Sequence, residues 1–339
     1  MLRFVGRRAL FTLLSLFSLV TIVFMLIKII PGDEAKVAAG DAATPEMVEA
    51  TRVRLGLDQP VPVQFLAYIW RLLHGDLGTS TTTFQPISTN LSAVLPSTLE
   101  LIALAMMTTV IVAIPVGMLM AANRGGPVDL FGRVLTVVMA GMPVFWVGFM
   151  LQLALSSTHT LPISGSLSVQ YSVQQVTGFV TLDALLTGND LAFRDALTHL
   201  VLPVLVLATP QIAVIIRTMR TSLLGELDED YILMAQSKGA SRSRILIRHG
   251  FRNAAVPTVT MIGLQVGYMI GGAVIVESVF ARPGVGAYLT SSVVQKDTFA
   301  VLGAVLFIGA VVLITSFLVD MFQIVIDPRV RRGQLEVTA

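Results

Sequence analysis

The segment from Asp228 to Pro257 is the most highly charged part of this sequence that lies between two long apolar stretches. Acidic residues Glu229 and Asp230 stand near its start, and three arginines recur at every fourth position in its second half, at Arg244, Arg248 and Arg252. Charged side chains repeated at helical spacing lie on one helix face, where they can form ion pairs with a partner protein. The segment therefore predicts a docking surface. The alternative is a solvated loop whose arginines only follow membrane topology.

Two short helices joined by a glycine are predicted within this segment. Asp228 is expected to cap the first helix, with Glu229 and Asp230 in its first turn, where the helix dipole favours acidic residues. Lys238 followed by Gly239 is a typical helix end, because glycine accepts a left-handed conformation. Ser241 is expected to cap the second helix, and Pro257 ends the segment. The predicted apolar face of the first helix consists of Leu224, Leu227, Tyr231, Met234 and Ala235.

The same residues carry a family resemblance. The pattern A-x-x-K-G-A-S from Ala235 to Ser241, followed by R-H-x-x-R-N-A-x-x-P from Arg248 to Pro257, resembles the EAA loop of ABC-transporter permeases, and more narrowly that of dipeptide, oligopeptide and nickel permeases. Met234-Ala235-Gln236 stands near the place of the Glu-Ala-Ala that names the loop. In that family the loop docks into a groove of the ATPase subunit. The resemblance thus implies ATPase-coupling roles for Glu229, Asp230, Tyr231, Ala235, Lys238, Gly239, Arg248 and Arg252.

Composition places the chain in the membrane. Of its 339 residues, 54% are hydrophobic and 13% are charged, and the mean hydropathy is +0.80. A soluble domain carries about 25% charged residues. The sequence contains no cysteine, which excludes disulfides, thiolate nucleophiles and cysteine-based metal sites.

Six apolar stretches are long enough to cross a bilayer. Arg3, Arg7 and Arg8 precede the first, which predicts an uncleaved anchor with a cytoplasmic N-terminus, because the apolar run is too long for a secretory signal. In this topology 15 of the 23 Lys and Arg residues, but only 8 of the 21 Asp and Glu residues, lie inside. The pI of about 9.1 therefore reflects topology and does not indicate nucleic-acid binding. The predicted spans are Ala9–Ile27, Thr98–Ala121, Leu135–Ser156, Leu200–Ile216, Val256–Val276 and Phe299–Phe322.

Four parts follow from this topology. Residues 1–30 form a cytoplasmic tip and the first span, and residues 31–95 form an external lobe with helices at Thr44–Leu55 and Val61–Leu73. Residues 96–325 form the transmembrane core, including a coupling loop at 217–256, and 326–339 form a cytoplasmic tail. His74 in the external lobe is either a metal ligand or a turn residue, and its isolated position favours the turn.

The spans contain almost no ionisable side chains away from their ends. Lys28, Glu100, Glu277 and Asp320 all lie within reach of an interface. Carriers driven by protons or ions need charged groups deep in the bilayer, so the energy is expected to come from another subunit. An ATP-independent channel or carrier remains a less favoured alternative. Walker A, His-x-x-Glu-His and G-x-S-x-G motifs do not occur, so we expect no catalytic site, no metal site and no cofactor in this chain.

Small residues mark the fifth span. Gly263, Gly267 and Gly271 form a G-x-x-x-G-x-x-x-G stripe with Gln265 nearby, a spacing that permits close helix approach. Either these residues line the pathway or meet a partner permease, or they pack within the chain. Pro115 and Pro143 lie inside the second and third predicted spans, where proline loosens the helical hydrogen bonds.

The family resemblance extends over nearly the whole chain. It includes GLDQP at Gly56, HGDLG at His74, PSTLEL at Pro96, GMPVFW at Gly141 and ESVFARPGVG at Glu277. It implies an all-α, six-span, type I (MetI-like) ABC importer permease of the bacterial inner membrane, with both termini cytoplasmic. The implied partners are a second homologous permease, two ATPase subunits that use ATP and Mg, a periplasmic substrate-binding protein and membrane lipid. Peptide is the expected substrate, with glutathione, nickel or an oligosaccharide as alternatives. An export or assembly subunit is a further alternative.

Overall fold

The computed structural model describes residues 2–29, 33–40, 43–158 and 160–326. Within these ranges the fold is all-α, as predicted, and the only extended pairing is an isolated bridge between Thr79 and Pro86. A short π-helix, Ile245–Gly250, directly precedes Phe251. The helices are α1 (Leu2–Ile29), α2 (Glu34–Ala39), α3 (Pro45–Leu55), α4 (Val61–Leu73), α5 (Ile87–Ala122), α6 (Pro127–Gly141), α7 (Val144–Leu155), α8 (Val180–Leu186), α9 (Asp190–Leu227), α10 (Asp230–Ser237), α11 (Arg242–Arg244), α12 (Phe251–Val279), α13 (Val285–Val294) and α14 (Thr298–Ile326).

Five continuous helical segments are long and apolar enough to cross a membrane, and one bent helix pair can supply a sixth span. Five of the six predicted spans therefore correspond to single helical segments and the third to the bent pair, and several helices extend beyond the apolar stretches that predicted them. Helix ends depend on caps and backbone hydrogen bonds rather than on the edge of the apolar region. The segments are Val5–Ile29, Ile87–Ala122, Asp190–Leu227, Arg242–Val279 and Thr298–Met321, with the pair Pro127–Gly141 and Val144–Leu155.

The third predicted span, Leu135–Ser156, is not one helix. Instead α6 and α7 meet at an angle of 102°. Met142 between them is extended, with φ −82° and ψ 128°, and Pro143 follows with φ −61° and ψ 132°. Proline has no N–H to donate and disfavours the helical conformation of the preceding residue, so Pro143 breaks the helix. The interpretation of Pro143 as a kink inside a continuous span was wrong.

Packing divides the chain into two compact units, which are described separately. Among the described residues, unit one contains Leu99–Arg282 and the part of α14 from Thr315, and unit two contains Leu2–Thr98 and Pro283–Ile314. The domain boundaries expected from topology stay a prediction.

In unit two, α1 packs against α4. The Phe24 ring contacts Phe65 and Tyr68 at centroid distances of 5.1 and 5.6 Å. Both helices predicted for the external lobe are confirmed as α3 and α4. The Thr44 hydroxyl caps α3 by accepting the Met47 N–H at 3.3 Å. His74 follows α4, where its Nδ1 lies 2.8 Å from the Trp70 carbonyl.

A carboxylate fixes the start of α14 in unit two. Asp297 accepts hydrogen bonds from the Ser80 hydroxyl at 2.6 Å, the Thr82 N–H at 3.1 Å and the Ala300 N–H at 3.0 Å. Burial would raise the pKa of Asp297, but these hydrogen bonds outweigh it and hold the pKa below its ordinary value of 3.8. The charged form is therefore stabilised in the folded state.

We expect acid to weaken this contact. Because the folded-state pKa is lowered, the stabilisation is complete above about pH 4 and is lost as the pH falls through the folded-state value. Asp297→Asn should lower the unfolding free energy at pH 7 by about 1–3 kcal/mol and flatten its decrease below pH 4. Thermal unfolding of the detergent-solubilised protein, at pH 7 and below pH 4, measures the change in stability. Asp58→Asn, at an exposed position, is the control, and an equal effect of the two substitutions would contradict the expectation.

In unit one, α9 is the central helix, and it packs most extensively against α12 and α6. The approach of α5 to α9 is close, because a Cβ at Gly117 would lie 2.8 Å from Met219 Cβ and 2.9 Å from the Ile216 carbonyl oxygen. Near the middle of α9, the buried Gln211 accepts a hydrogen bond from Gln265 of α12. These contacts join both α5 and α12 to α9.

A buried ion pair lies outside the predicted coupling segment. The Arg282 guanidinium is 2.6 Å from Glu100 Oε2, and the two side chains are 1% and 4% exposed. Glu100 also accepts the Thr181 N–H at 3.1 Å. Ala281, with φ 47°, turns the chain before Arg282, whose N–H bonds to the Glu277 carbonyl at 2.9 Å. Arg282 thereby links the end of α12 to α5 and α8.

Candidate coupling site

The candidate coupling site is built on α10, an eight-residue helix between α9 and α11. The prediction that Asp228 caps this helix was wrong. Asp228 instead terminates α9, and Glu229 occupies the N-cap position without a side-chain hydrogen bond to the helix. The Asp228 carboxylate binds the Arg124 guanidinium with both oxygens at 3.1 Å. Of the predicted 217–256 loop, only residues 228–241 lie outside the two spanning helical segments.

One side chain of α10 is buried. Ile232 is fully buried, whereas Tyr231, Leu233 and Met234 are 37%, 55% and 61% exposed. The predicted apolar face was therefore wrong. Its residues Leu224 and Leu227 belong to α9, where they pack around Leu223 and Ala254. The turn at residues 228–229 resets the helical phase, so a period counted across it assigns the wrong face to α10.

Tyr231 joins α10 to both neighbouring spans. Its hydroxyl donates to Glu226 Oε2 of α9 at 2.6 Å and accepts from Asn253 Nδ2 of α12 at 3.1 Å. Burial and the hydrogen bond to the Glu226 carboxylate raise the pKa of Tyr231 above 10.0, so the phenol remains a donor at neutral pH. Tyr231 therefore connects α10 to both α9 and α12 through hydrogen bonds.

We expect Tyr231→Phe to weaken this connection without unfolding the chain. The ring is retained and two hydrogen bonds are lost, at about 0.5–1.5 kcal/mol each. Transport per ATP hydrolysed should fall roughly fivefold, while ATPase activity in the assembled complex is kept. The measurement is uptake and ATP hydrolysis in the same proteoliposomes. Tyr171→Phe, outside this site, is the control, and an unchanged transport-to-ATPase ratio in Tyr231→Phe would contradict the role.

The turn after α10 agrees with the sequence prediction. Gly239 has φ +76°, a left-handed conformation that glycine adopts at no steric cost. Its N–H donates to the Gln236 carbonyl at 2.9 Å, and the Ala240 N–H donates to the Ala235 carbonyl at 3.1 Å. Lys238 occupies the C-cap position and is exposed. Together these bonds close α10 and reverse the chain.

The second helix begins at Arg242, directly after Ser241 as predicted, but Ser241 makes no side-chain cap bond. The π-helix of six residues interrupts the predicted arginine stripe, because a π-helix has more residues per turn than an α-helix. The three arginines, Arg244, Arg248 and Arg252, are nevertheless all exposed. Arg242 donates to the Ala122 carbonyl at the end of α5.

The exposed residues of this region include both apolar and cationic side chains. Leu233, Met234 and Ile247 are exposed hydrophobic residues. They lie in the same segment as the exposed cations Lys238, Arg244, Arg248 and Arg252. Exposed apolar side chains bordered by charge mark protein-binding surfaces, and a short helix of this kind binds in a groove. The arrangement can therefore dock a partner protein, but it offers no catalytic constellation.

The residues predicted for packing or the pathway lie apart from this surface. Gln265 is buried against α9, and a Cβ at Gly267 would lie 3.7 Å from Ser316 Oγ. A Cβ at Gly271 would meet no atom within 4 Å, whereas at the next residue, Gly272, it would lie 2.9 Å from Leu207 Cδ1. The close contact with α9 is therefore made by Gly272, which is not part of the predicted glycine stripe. The roles of Gly263, Gly267, Gly271, Gln265 and Pro143 stay a prediction.

Sequence reasoning missed three residues that hold the site. Ile232 anchors α10, and Glu226 and Asn253 bind Tyr231. Asn253 lies within the R-N-A part of the motif, which was the available signal. No sequence pattern near Glu226 or Ile232 indicates that these residues hold the site.

Comparisons with known proteins agree with this geometry. Residues 113–332 match the family model "Binding-protein-dependent transport system inner membrane component", and residues 1–102 match the N-terminal model of the same systems. The dipeptide transport system permease protein DppB of Escherichia coli K12 is 38% identical over 336 residues, 98% of this chain and 99% of the relative. The di/tripeptide permease DppB of Pseudomonas aeruginosa is 37% identical over 335 residues, with the same coverage of 98% and 99%. The probable D,D-dipeptide permease DdpB of Escherichia coli K12 is 38% identical over 314 residues, 92% of each chain. This all-α, multi-pass chain therefore belongs to the inner-membrane components of binding-protein-dependent transport systems, in the dipeptide and oligopeptide ABC permease family.

Proposed function

We propose that this chain is the membrane-spanning permease subunit of an ATP-driven importer that moves dipeptides and oligopeptides across the bacterial inner membrane. The observation that carries the proposal is the 38% identity to a dipeptide permease over almost the full length of both chains. The exposed face of α10 supports it, because it has the form of a docking element.

The proposed mechanism is alternating access driven by partner ATPases. ATP closes the ATPase pair, and the surface around Leu233, Met234 and the exposed arginines moves with it. Ile232 and the Tyr231 hydrogen bonds carry this movement into α9 and α12. The spans then open toward a loaded binding protein, and hydrolysis returns them. Glu229, Asp230, Ala235, Lys238, Gly239, Arg248 and Arg252 complete the proposed coupling surface.

The proposed assembly contains a second homologous permease, two ATPase subunits and a periplasmic substrate-binding protein. The chain itself binds no cofactor, and its partners bind ATP and Mg. Both termini lie in the cytoplasm, in keeping with the excess of Lys and Arg on that side.

Native mass spectrometry of the affinity-purified complex, released from detergent with its binding protein, tests the assembly. We expect the chain with one other permease and two ATPases, and a dipeptide-sized mass on the binding protein. Uptake of a labelled dipeptide into proteoliposomes should require ATP and the binding protein. A chain that arrives alone, or flux without ATP through this chain alone, would contradict the proposal and favour a channel.

A further inference from the structure

We propose that a cavity formed by α1, α4, α14 and the turn after α4 binds the phosphate-bearing headgroup of an anionic phospholipid. The cavity lies within unit two and has a volume of about 290 Å³. This volume is near the lower end of small-molecule sites and suits a headgroup with the upper part of its chains. The inference does not depend on the transported substrate.

The charge of the lining favours an anion. Lys28, Arg54 and Arg71 supply three cations to the cavity, and among the described lining residues Asp76 is the one carboxylate. Arg54 and Arg71 form no ion pair with any carboxylate that the structure describes. The Asp76 carboxylate is engaged by the Gly78 N–H at 2.9 Å. Two guanidinium groups thus remain available to bind phosphate oxygens, the chemistry for which their planar donors are suited.

The positions of the helix ends place this charge at the depth of lipid headgroups. Lys28 lies in the last turn of the first spanning helix, and Phe299 lies in the first turn of the last. Both line the cavity, so the two ends lie at the same membrane surface. Apolar side chains from inside these spans, including Phe24 and Leu302, line the same cavity. It therefore presents cations beside an apolar surface, which matches an amphiphile better than a free ion.

The third wall is a helix with the features of an interfacial helix. On α4, the apolar residues Val63, Leu66, Trp70 and Leu73 recur at helical spacing and are exposed. Exposed apolar side chains that include a tryptophan are typical of helices at the membrane–water interface. Gln64, Tyr68 and Arg71 of the same helix line the cavity.

Internal contacts shape the polar side of the cavity before a ligand binds. Lys28 donates to Gln64, whose amide donates to the carbonyls of Leu57 and Gln59 at 3.2 and 2.7 Å. The Arg71 guanidinium carbon lies 5.9 Å from the centre of the Tyr68 ring. Burial raises the pKa of Tyr68 to about 12, so its hydroxyl stays neutral and can donate to an oxygen. Preformed donors lose less entropy when a ligand binds.

The test measures lipid binding to the intact complex in detergent by native mass spectrometry. Phosphatidylglycerol, phosphatidylethanolamine, inorganic phosphate and glycerol phosphate are titrated separately. We expect phosphatidylglycerol to bind and to raise the melting temperature, since a ligand of the folded state stabilises it. Arg54→Gln combined with Arg71→Gln should weaken this binding by about tenfold or more. Arg194→Gln, which removes an exposed cation outside the cavity, should have no effect.

Further variants and control ligands distinguish binding at this cavity from nonspecific effects of charge or folding. Arg54→Lys with Arg71→Lys restores the charge and should recover part of the binding. The melting temperature without added lipid shows whether each variant is folded. Equal binding of phosphatidylethanolamine would overturn the anionic assignment, and equal binding of either phosphate without acyl chains would overturn the lipid assignment. Unchanged binding in the folded double glutamine variant would overturn the site.

Discussion

Replacing Gly239 by proline is expected to abolish ATP-driven uptake while the chain still inserts into the membrane. The Gly239 φ of +76° is incompatible with the proline ring, which fixes φ near −65°. Proline also removes the N–H that bonds to the Gln236 carbonyl at 2.9 Å. The substitution therefore costs about 3 kcal/mol or more at the turn that orients α10. The spans do not contain this turn, so their insertion is retained.

Alanine at position 239 distinguishes the effect of backbone conformation from that of a steric clash. A Cβ at Gly239 would meet no atom within 4 Å, so Gly239→Ala acts only through the left-handed conformation, at about 1–2 kcal/mol. We expect reduced but measurable uptake. Gly225→Ala is the matched control, because Gly225 also has open space but lies within α9 without a positive φ. It should transport normally. Uptake, protein yield and gel-filtration profile are measured together, and normal uptake by well-inserted Gly239→Pro would refute the coupling role of the turn.

Replacing Arg282 by leucine should produce the largest loss of stability. The substitution leaves the Glu100 carboxylate buried without its cation, and Glu277 also lies close to the guanidinium. Removing one partner of a buried ion pair costs about 3–5 kcal/mol. A domain is stable by only about 5–15 kcal/mol, so the melting temperature should fall steeply. Thermal unfolding in detergent measures the effect, and exposed Arg194→Leu is the control, expected within about 0.5 kcal/mol of the parent.

A second substitution tests the assignment of the partner. In the Arg282→Leu background, Glu100→Gln removes the uncompensated charge and should recover part of the lost stability. In the parent, Glu100→Gln alone should destabilise, because Arg282 then loses its closest carboxylate. A double-mutant cycle gives the coupling between the two residues. Strictly additive effects would mean that the pair does not contribute through their interaction.

Features encoded by neighbouring residues could be predicted from the sequence. Apolar runs of sufficient length predicted the spans, and the arginines around them predict the orientation of the chain in the membrane. Thr44 with Pro45 predicted the start of α3, and Lys238 with Gly239 predicted the end of α10, because caps depend on only a few adjacent residues. The spaced motif around Gly239 predicted the family, to which the comparisons assign the chain.

Features that depend on distant residues could not be predicted in this way. Glu100 and Arg282 are 182 positions apart, and nothing near either residue marks it as a partner of the other. The buried face of α10 was assigned wrongly, because the turn at residues 228–229 changes the helical phase and Ile232 packs inward. Proline was recognised at position 143, but its local effect did not give the 102° between α6 and α7.

The sequence by itself determined the membrane class of this protein, the apolar stretches that supply its spans and the position of the turn at Gly239, because hydrophobicity, caps and motifs act over short stretches of chain. Only the tertiary structure decided that Tyr231 connects two spans, that Arg282 is buried with Glu100, and that three cations share one cavity. Each of these contacts joins side chains from separate helices, and their geometry is fixed only when those helices pack.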